Sequence, residues 1–157
     1  MRDKFPFVVR VYGIYYDPKN GILVSDELIY NQKITKFPGG GLEFGEGTIA
    51  CLEREMLEET QTKFEIKEHF YTTDFFAPSV FNDQIQVMSI YYLIQPITSL
   101  NFIVSKKEFD FKEEKEGSQS FRFINLSDIG ENDFTLIIDK VVGQMLKKRI
   151  QSGVKLF

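Results

Sequence analysis

Tryptophan is absent from this chain of 157 residues, and cysteine and histidine occur once each. With Cys51 alone, no internal disulfide can close, which excludes a disulfide-stapled secreted scaffold and points to a reducing compartment. His69 has no cysteine near it in sequence, so it reads as a surface or strand residue rather than a metal ligand. Long apolar runs are missing too. The greasiest stretch, residues 87–94, is broken by Ser89 and closed by Pro96. It falls short of the roughly 18 apolar residues that a membrane span needs and reads as a buried strand. The N-terminal MRDKFPFVVR has no apolar stretch of signal-peptide length. The expectation is a soluble, cytoplasmic protein without a membrane partner. An excess of basic charge is also lacking, since 19 Lys and Arg face 23 Asp and Glu for a net charge of −4. That balance argues against a nucleic-acid partner. An acidic protein handles an anionic substrate only with local compensation, for which a divalent cation is the simplest candidate.

What is present is ordinary globular material, 43% hydrophobic and 27% charged, with 16 Phe and 7 Tyr to build a ring-rich core. The length suits one domain over residues 1–157. Residues 7–16 are β-branched and aromatic, and Asn20-Gly21 then signals a turn into a returning strand at residues 22–25. Residues 36–47 carry five glycines and a proline and are expected to form a loop. Residues 48–60 read as a helix with Thr48 as N-cap. Residues 64–76 and 84–95 are strand-like around a loop at Pro78; residues 106–120 form a charged loop, and 120–125 a short strand. Apolar residues at helical spacing predict a closing helix over residues 133–151. That order gives an α/β (α+β) class, a mixed sheet between helices.

The chemistry is concentrated in GGGLEFGEGTIACLEREMLEE, residues 39–59. At about 100° per residue, Glu55, Glu58 and Glu59 share one sector of the helix, with Arg54 on its flank. Like charges at these spacings cost roughly 0.2–0.5 kcal/mol each, and the helix C-terminus disfavours them further. A hard cation over the cluster reverses that balance, because Mg²⁺ takes oxygen ligands and leaves positions for water and substrate phosphate. The upstream glycines, Gly40 among them, let the backbone approach a metal or a phosphate closely. Together these residues point to metal-assisted attack on a phosphoanhydride. The alternative is a solvated acidic face.

The run from Gly40 through Glu46 to Arg54-Glu55-Met56-Leu57-Glu58-Glu59 resembles the Nudix box, Gly-x5-Glu-x7-Arg-Glu-U-x-Glu-Glu-x-Gly-U with U aliphatic. Phe37-Pro38-Gly39 and Glu43 resemble its usual surroundings. Gln61 and Thr62 depart from the final Gly-U, which places the helix C-cap in question. The resemblance implies the Nudix fold, an α/β/α sandwich with a mixed β-sheet and a C-terminal helix. It implies Mg²⁺ (or Mn²⁺) as cofactor, with Glu55, Glu58, Glu59 and the Gly39 carbonyl as ligands and Arg54 orienting a box glutamate. Glu116, in Lys115-Glu116-Gly117, resembles the loop glutamate that family members recruit as ligand or base, though a solvated loop charge is an equal reading. Glu46 stays open between a structural role in the loop and an indirect role at the metal.

On the substrate side, Arg10 and Lys36 are candidates for diphosphate charge and Phe76 for stacking a base, against surface and core readings. Pro78 stands where ADP-ribose-directed relatives carry a proline, although turn formation explains it equally well. The activity implied is cleavage of the P–O–P bond of a nucleoside diphosphate linked to another moiety. ADP-ribose and nucleoside-diphosphate sugars come first, and nucleoside triphosphates close behind. The rival is a non-catalytic, ligand-sensing domain on the same fold. Dimers are common in the family, so a homodimer is compatible with the resemblance.

Overall fold

The computed structural model describes residues 6–156, which cluster into two compact units. The first comprises the chain up to Gly13 with Gly39–Leu100, and the second Ile14–Pro38 with the chain from Asn101. Strand β1 (Phe7–Asp17) contributes its first half to one unit and its second half to the other. No described helix is long and apolar enough to cross a membrane.

In the first unit, β4 (Gly39–Gly41) pairs antiparallel with β1, matching Arg10 to Gly41 and Tyr12 to Gly39. The sequence reading had this segment wholly as loop. Three glycines carry no strand propensity, yet a Cβ on Gly39, at φ 137°, would overlap the Val11 carbonyl. Close approach, rather than side-chain preference, makes the strand. Strands β5 (Phe64–Thr72) and β6 (Gln86–Pro96) form an antiparallel pair whose register slips twice, and β6 lies beside β1. The long loop between β5 and β6 carries Pro78, as expected.

Helix α1 (Thr48–Thr60) packs on β4 and β5 with Cys51, Leu52 and Met56 inaccessible. Burying Leu52 and Met56 contributes roughly 1.5–3 kcal/mol each. Thr48 is the first helical residue and not the cap: Gly47 occupies the N-cap with no side-chain bond. The Thr48 hydroxyl instead meets the Tyr92 hydroxyl at 2.7 Å, fixing the helix start to β6. At the other end Gln61 adopts the left-handed conformation, φ 53°, and its N–H donates to the Leu57 carbonyl. The backbone thus keeps a shape that glycine normally supplies. Thr62, buried, donates its hydroxyl to the Thr60 carbonyl at 3.2 Å, so a polar residue sits in an apolar position without an unmade bond.

In the second unit, β2 (Gly21–Ile29) pairs with the end of β1, with β3 (Gln32–Lys36) and with β7 (Gln119–Ile124), all antiparallel. Val104, in the loop before β7, makes an isolated parallel bridge to Phe121. Asp17 accepts from the Lys19 and Asn20 amides and shapes the first turn. The β2–β3 hairpin was not anticipated. Its two loop residues, Tyr30 and Asn31, both have positive φ, the signature of a tight two-residue turn usually written with Asn-Gly. Helix α2 (Ile137–Gln151) starts four residues later than expected. A 3₁₀ turn at Glu131–Asp133 precedes it, and Phe134 is extended. The cause is a clasp: the Thr135 N–H donates to the Thr35 carbonyl, and the Thr35 N–H to the Thr135 hydroxyl. Phe134 still reaches the core, stacked on Phe37 with centroids 4.4 Å apart.

Candidate active site

The box residues lie in the first unit, in two pieces that the backbone brings together: the β4 strand with its following loop, and helix α1. Arg54 joins them. Its guanidinium makes a fork with Glu46, Nε to Oε2 at 3.0 Å and Nη2 to Oε1 at 2.6 Å, the bidentate geometry that suits carboxylate best. The same Nη2 donates to the Gly41 carbonyl at 3.1 Å. Nη1 turns to the helix and meets Glu55 at 3.0 Å and Glu58 at 3.4 Å. Glu43 completes the ring of carboxylates at 3.9 Å. The arginine predicted at the flank of the acidic face therefore offsets much of its self-repulsion.

Glu46 serves the loop structurally and is also joined, through Arg54, to Glu55. Hydrogen bonds from Arg54, then the backbone around Glu43, bring its carboxyl down to about 2. Its Oε1 also accepts from the Glu43 amide at 2.9 Å, closing the loop on itself. Arg54 is in turn held further above its ordinary value, chiefly by Glu46. Cys51, beneath this network, donates to the Gly41 carbonyl at 3.5 Å. Burial, then Glu46, push its thiol up to about 12, which removes it as a nucleophile at neutral pH.

The Glu55 carboxylate occupies the space above Gly40, where any Cβ would overlap Cδ and both oxygens. The box glycine and the box glutamate are thus one steric unit, 40 and 55 in sequence. Glu55 is only 16% exposed, against 60% for Glu58. Glu59 is half-buried on the same helix. Among the described residues, no group of three His, Cys, Asp or Glu side chains converges tightly enough to cage a metal ion unaided. A hard cation that keeps waters and borrows substrate oxygens needs no cage, only one or two carboxylates. Hard-oxygen donors, one of them fixed in a cradle that a methyl group would fill, fit that description.

The other candidates fall out unevenly. Arg10 lies beside Gly41 in the ladder, its Nε donating to the Tyr12 hydroxyl and its guanidinium 5.6 Å from that ring's centroid. Phe76 and Pro78 are exposed and flank buried Ala77. Lys36 is a correction. It is 2% exposed and its ammonium is 2.9 Å from Glu27, so it is an internal ion-pair partner and is not presented to a diphosphate. Glu116 accepts from the Tyr30 and Asn31 amides at 2.8 and 3.3 Å, both oxygens engaged in capping the β2–β3 turn. Sequence reasoning missed Tyr92 and Tyr12, which fix Thr48 and Arg10. No local signal marks a tyrosine that acts through a distant strand.

A family model for the NUDIX domain matches residues 6–141. The chain belongs to the Nudix hydrolase family. Solved structures agree on the fold. A MutT protein from Methanosarcina mazei aligns with a TM-score of 0.65 at 15% identity, over 98% of this chain and 100% of that one. A Nudix hydrolase from Nitrosomonas europaea gives 0.60 at 18%, over 99% and 78%. An ADP-ribose pyrophosphatase from Streptococcus suis gives 0.59 at 14%, over 96% and 94%. A search of the curated proteins finds no match. The mixed sheet with two helices is accordingly the Nudix fold, as the box implied.

Proposed function

We propose that this Nudix hydrolase is a divalent-metal-dependent pyrophosphohydrolase that cleaves the P–O–P bond of a nucleoside diphosphate linked to a second moiety. The observation that carries the reading is the Glu55 carboxylate seated over Gly40 and tied by Arg54 to the rest of the box. Glu55, Glu58, Glu59 and the Gly39 carbonyl would hold Mg²⁺ (or Mn²⁺), which supplies neutralisation of phosphate charge and acidification of a water.

The protein's own contribution is positioning. Arg54 holds Glu55 and Glu58 in place through a guanidinium that Glu46 already anchors, so the carboxylates need little reordering when substrate arrives. Arg10, beside Gly41, offers positive charge to the diphosphate, and exposed Phe76 with Pro78 offers a face to a base. Glu116 is assigned to the hairpin turn. The solved neighbours named an ADP-ribose pyrophosphatase and a UDP-X diphosphatase favour ADP-ribose or nucleoside-diphosphate sugars as substrates. Those named MutT keep nucleoside triphosphates next.

A screen of ADP-ribose, nucleoside-diphosphate sugars and triphosphates, with phosphate release read after phosphatase coupling, tests this. Turnover should require Mg²⁺ or Mn²⁺ and fall by orders of magnitude in Glu59→Gln, while melting in EDTA is unchanged or slightly higher. A Glu59→Gln protein as active as the parent removes the metal assignment, and metal-dependent binding without turnover on any substrate would favour the ligand-sensing rival.

A further inference from the structure

The first unit carries a row of tyrosines on one face of its sheet. Tyr12 in β1, Tyr91 in β6 and Tyr71 in β5 stand on three neighbouring strands. Ring centroids are 5.3 Å apart for the first pair and 6.3 Å for the second, both tilted, which are ordinary aromatic contacts. Strand alternation keeps the row off helix α1. Tyr92, next in sequence to Tyr91, points to the helix and meets Thr48. Val11 pairs with Gly40, over which Glu55 of the helix sits, and this leaves Tyr12 on the other face. Tyr12 and Tyr91 are buried, so the row is close-packed and passes displacement along itself.

Each end of the row grips a polar group through its phenol. At the β1 end the Tyr12 hydroxyl accepts from Arg10 Nε, and Arg10 Nη1 lies 3.9 Å from where a Cβ on Gly41 would stand. Arginine meets a phosphate through a planar fork, so fixing one nitrogen restricts the plane of approach. At the β5 end the Tyr71 hydroxyl donates to Asp74 Oδ1, two residues before Phe76. Burial, then Asp74, hold the Tyr71 phenol above its ordinary value, so it stays the donor. The loop is pinned on either side of Phe76. The Thr73 N–H donates to the Ser89 carbonyl at 3.0 Å, and the Val87 N–H to the Ala77 carbonyl at 2.8 Å. Ring packing alone is met by phenylalanine; what the two phenols add is a hold on Arg10 and on Asp74.

We propose that Tyr12 and Tyr71 are positioning residues: through one rigid row they set Arg10, for the diphosphate, and the loop bearing Phe76 and Pro78, for the base, at a fixed spacing along one substrate. This rests on the hydrolase reading and adds to it the residues that discriminate between substrates. Kinetics of the full chain with Mg²⁺ on ADP-glucose and UDP-glucose, which share a sugar and differ in base, test it. Tyr12→Phe should raise KM for both by roughly tenfold with kcat held within about twofold, because the lost bond is to a charged group. In an Arg10→Ala background the same change should raise KM no further, a non-additivity that general loosening of the sheet does not reproduce. Tyr71→Phe should shift the ratio of the two KM values by roughly threefold. Asp74→Asn, which leaves every ring in place, should shift it in the same direction.

A KM for Tyr12→Phe equal to the parent's, an effect that persists undiminished without Arg10, or a Tyr71→Phe change equal for both substrates overturns the inference while the hydrolase reading stands. A parent with no metal-dependent turnover of any diphosphate ends the hydrolase reading, and this inference with it.

Discussion

Glu46 carries a charge that the fold depends on at low pH. Its carboxyl is held at about 2, below its ordinary value, by Arg54 first and the loop backbone second. A depressed carboxyl adds stability above its unfolded value and loses it as acid protonates the folded form. Stability should therefore fall from about pH 4.5 down through pH 2, and Glu46→Gln should flatten that limb in urea denaturation followed across the range. Persistence of the full acid limb in the variant would show that other carboxylates cause it. The charged box positions were legible because they break a rule: acidic residues cluster where a stability-driven sequence would mix in cations. The Gly40–Glu55 contact was not legible. A glycine fifteen residues upstream of a glutamate looks like loop chemistry until the backbone has folded β4 onto helix α1. Lys36 misled for a related reason, because a lysine before a glycine-rich loop looks exposed, and only the β2–β3 register sets it beside Glu27.

At the scale of the element, helix α1 ends on a residue poorly suited to its backbone. A left-handed conformation costs a non-glycine residue about 1–2 kcal/mol. Glycine would remove that cost but give back roughly 0.5–1 kcal/mol in unfolded-state entropy. Gln61→Gly should hence stabilise by up to about 1 kcal/mol, read as a higher urea midpoint at unchanged slope. A lower midpoint would mean the Gln61 side chain makes a compensating contact. The helices themselves were readable from composition and spacing, whereas their first turns were not. Thr48 looked like a cap, yet Tyr92 claims its hydroxyl; Phe134 fits the helical spacing of α2, yet the Thr35–Thr135 clasp holds it extended. Both errors have one cause: a partner on a distant strand outweighed a local preference. Strands β3 and β4 were missed because Tyr30-Asn31 and three glycines carry no conventional strand or turn pattern.

Over the whole molecule, a net charge of −4 with an acidic helix face means that cation binding relieves repulsion as well as forming ligand bonds. Any ion that binds only the folded chain stabilises it by mass action, about 2.7 kcal/mol at a hundredfold excess over its Kd. Mg²⁺ or Mn²⁺ should accordingly raise the melting temperature of the parent in a concentration-dependent way, and the rise should shrink in Glu59→Gln. An equal rise in both proteins at matched ionic strength would mark general screening. The class of fold followed from the order of elements, and the family from a box of some twenty residues. What linear order could not convey is which loop residue meets which turn.

The Glu116 carboxylate is the instance with the most practical reach. It takes the amide protons of Tyr30 and Asn31, two consecutive residues with positive φ at a hairpin tip. Those protons lose a hydrogen-bond acceptor whenever the carboxylate moves away. Their exchange is therefore a built-in, label-free clock for excursions of the charged loop, readable in solution with or without nucleotide.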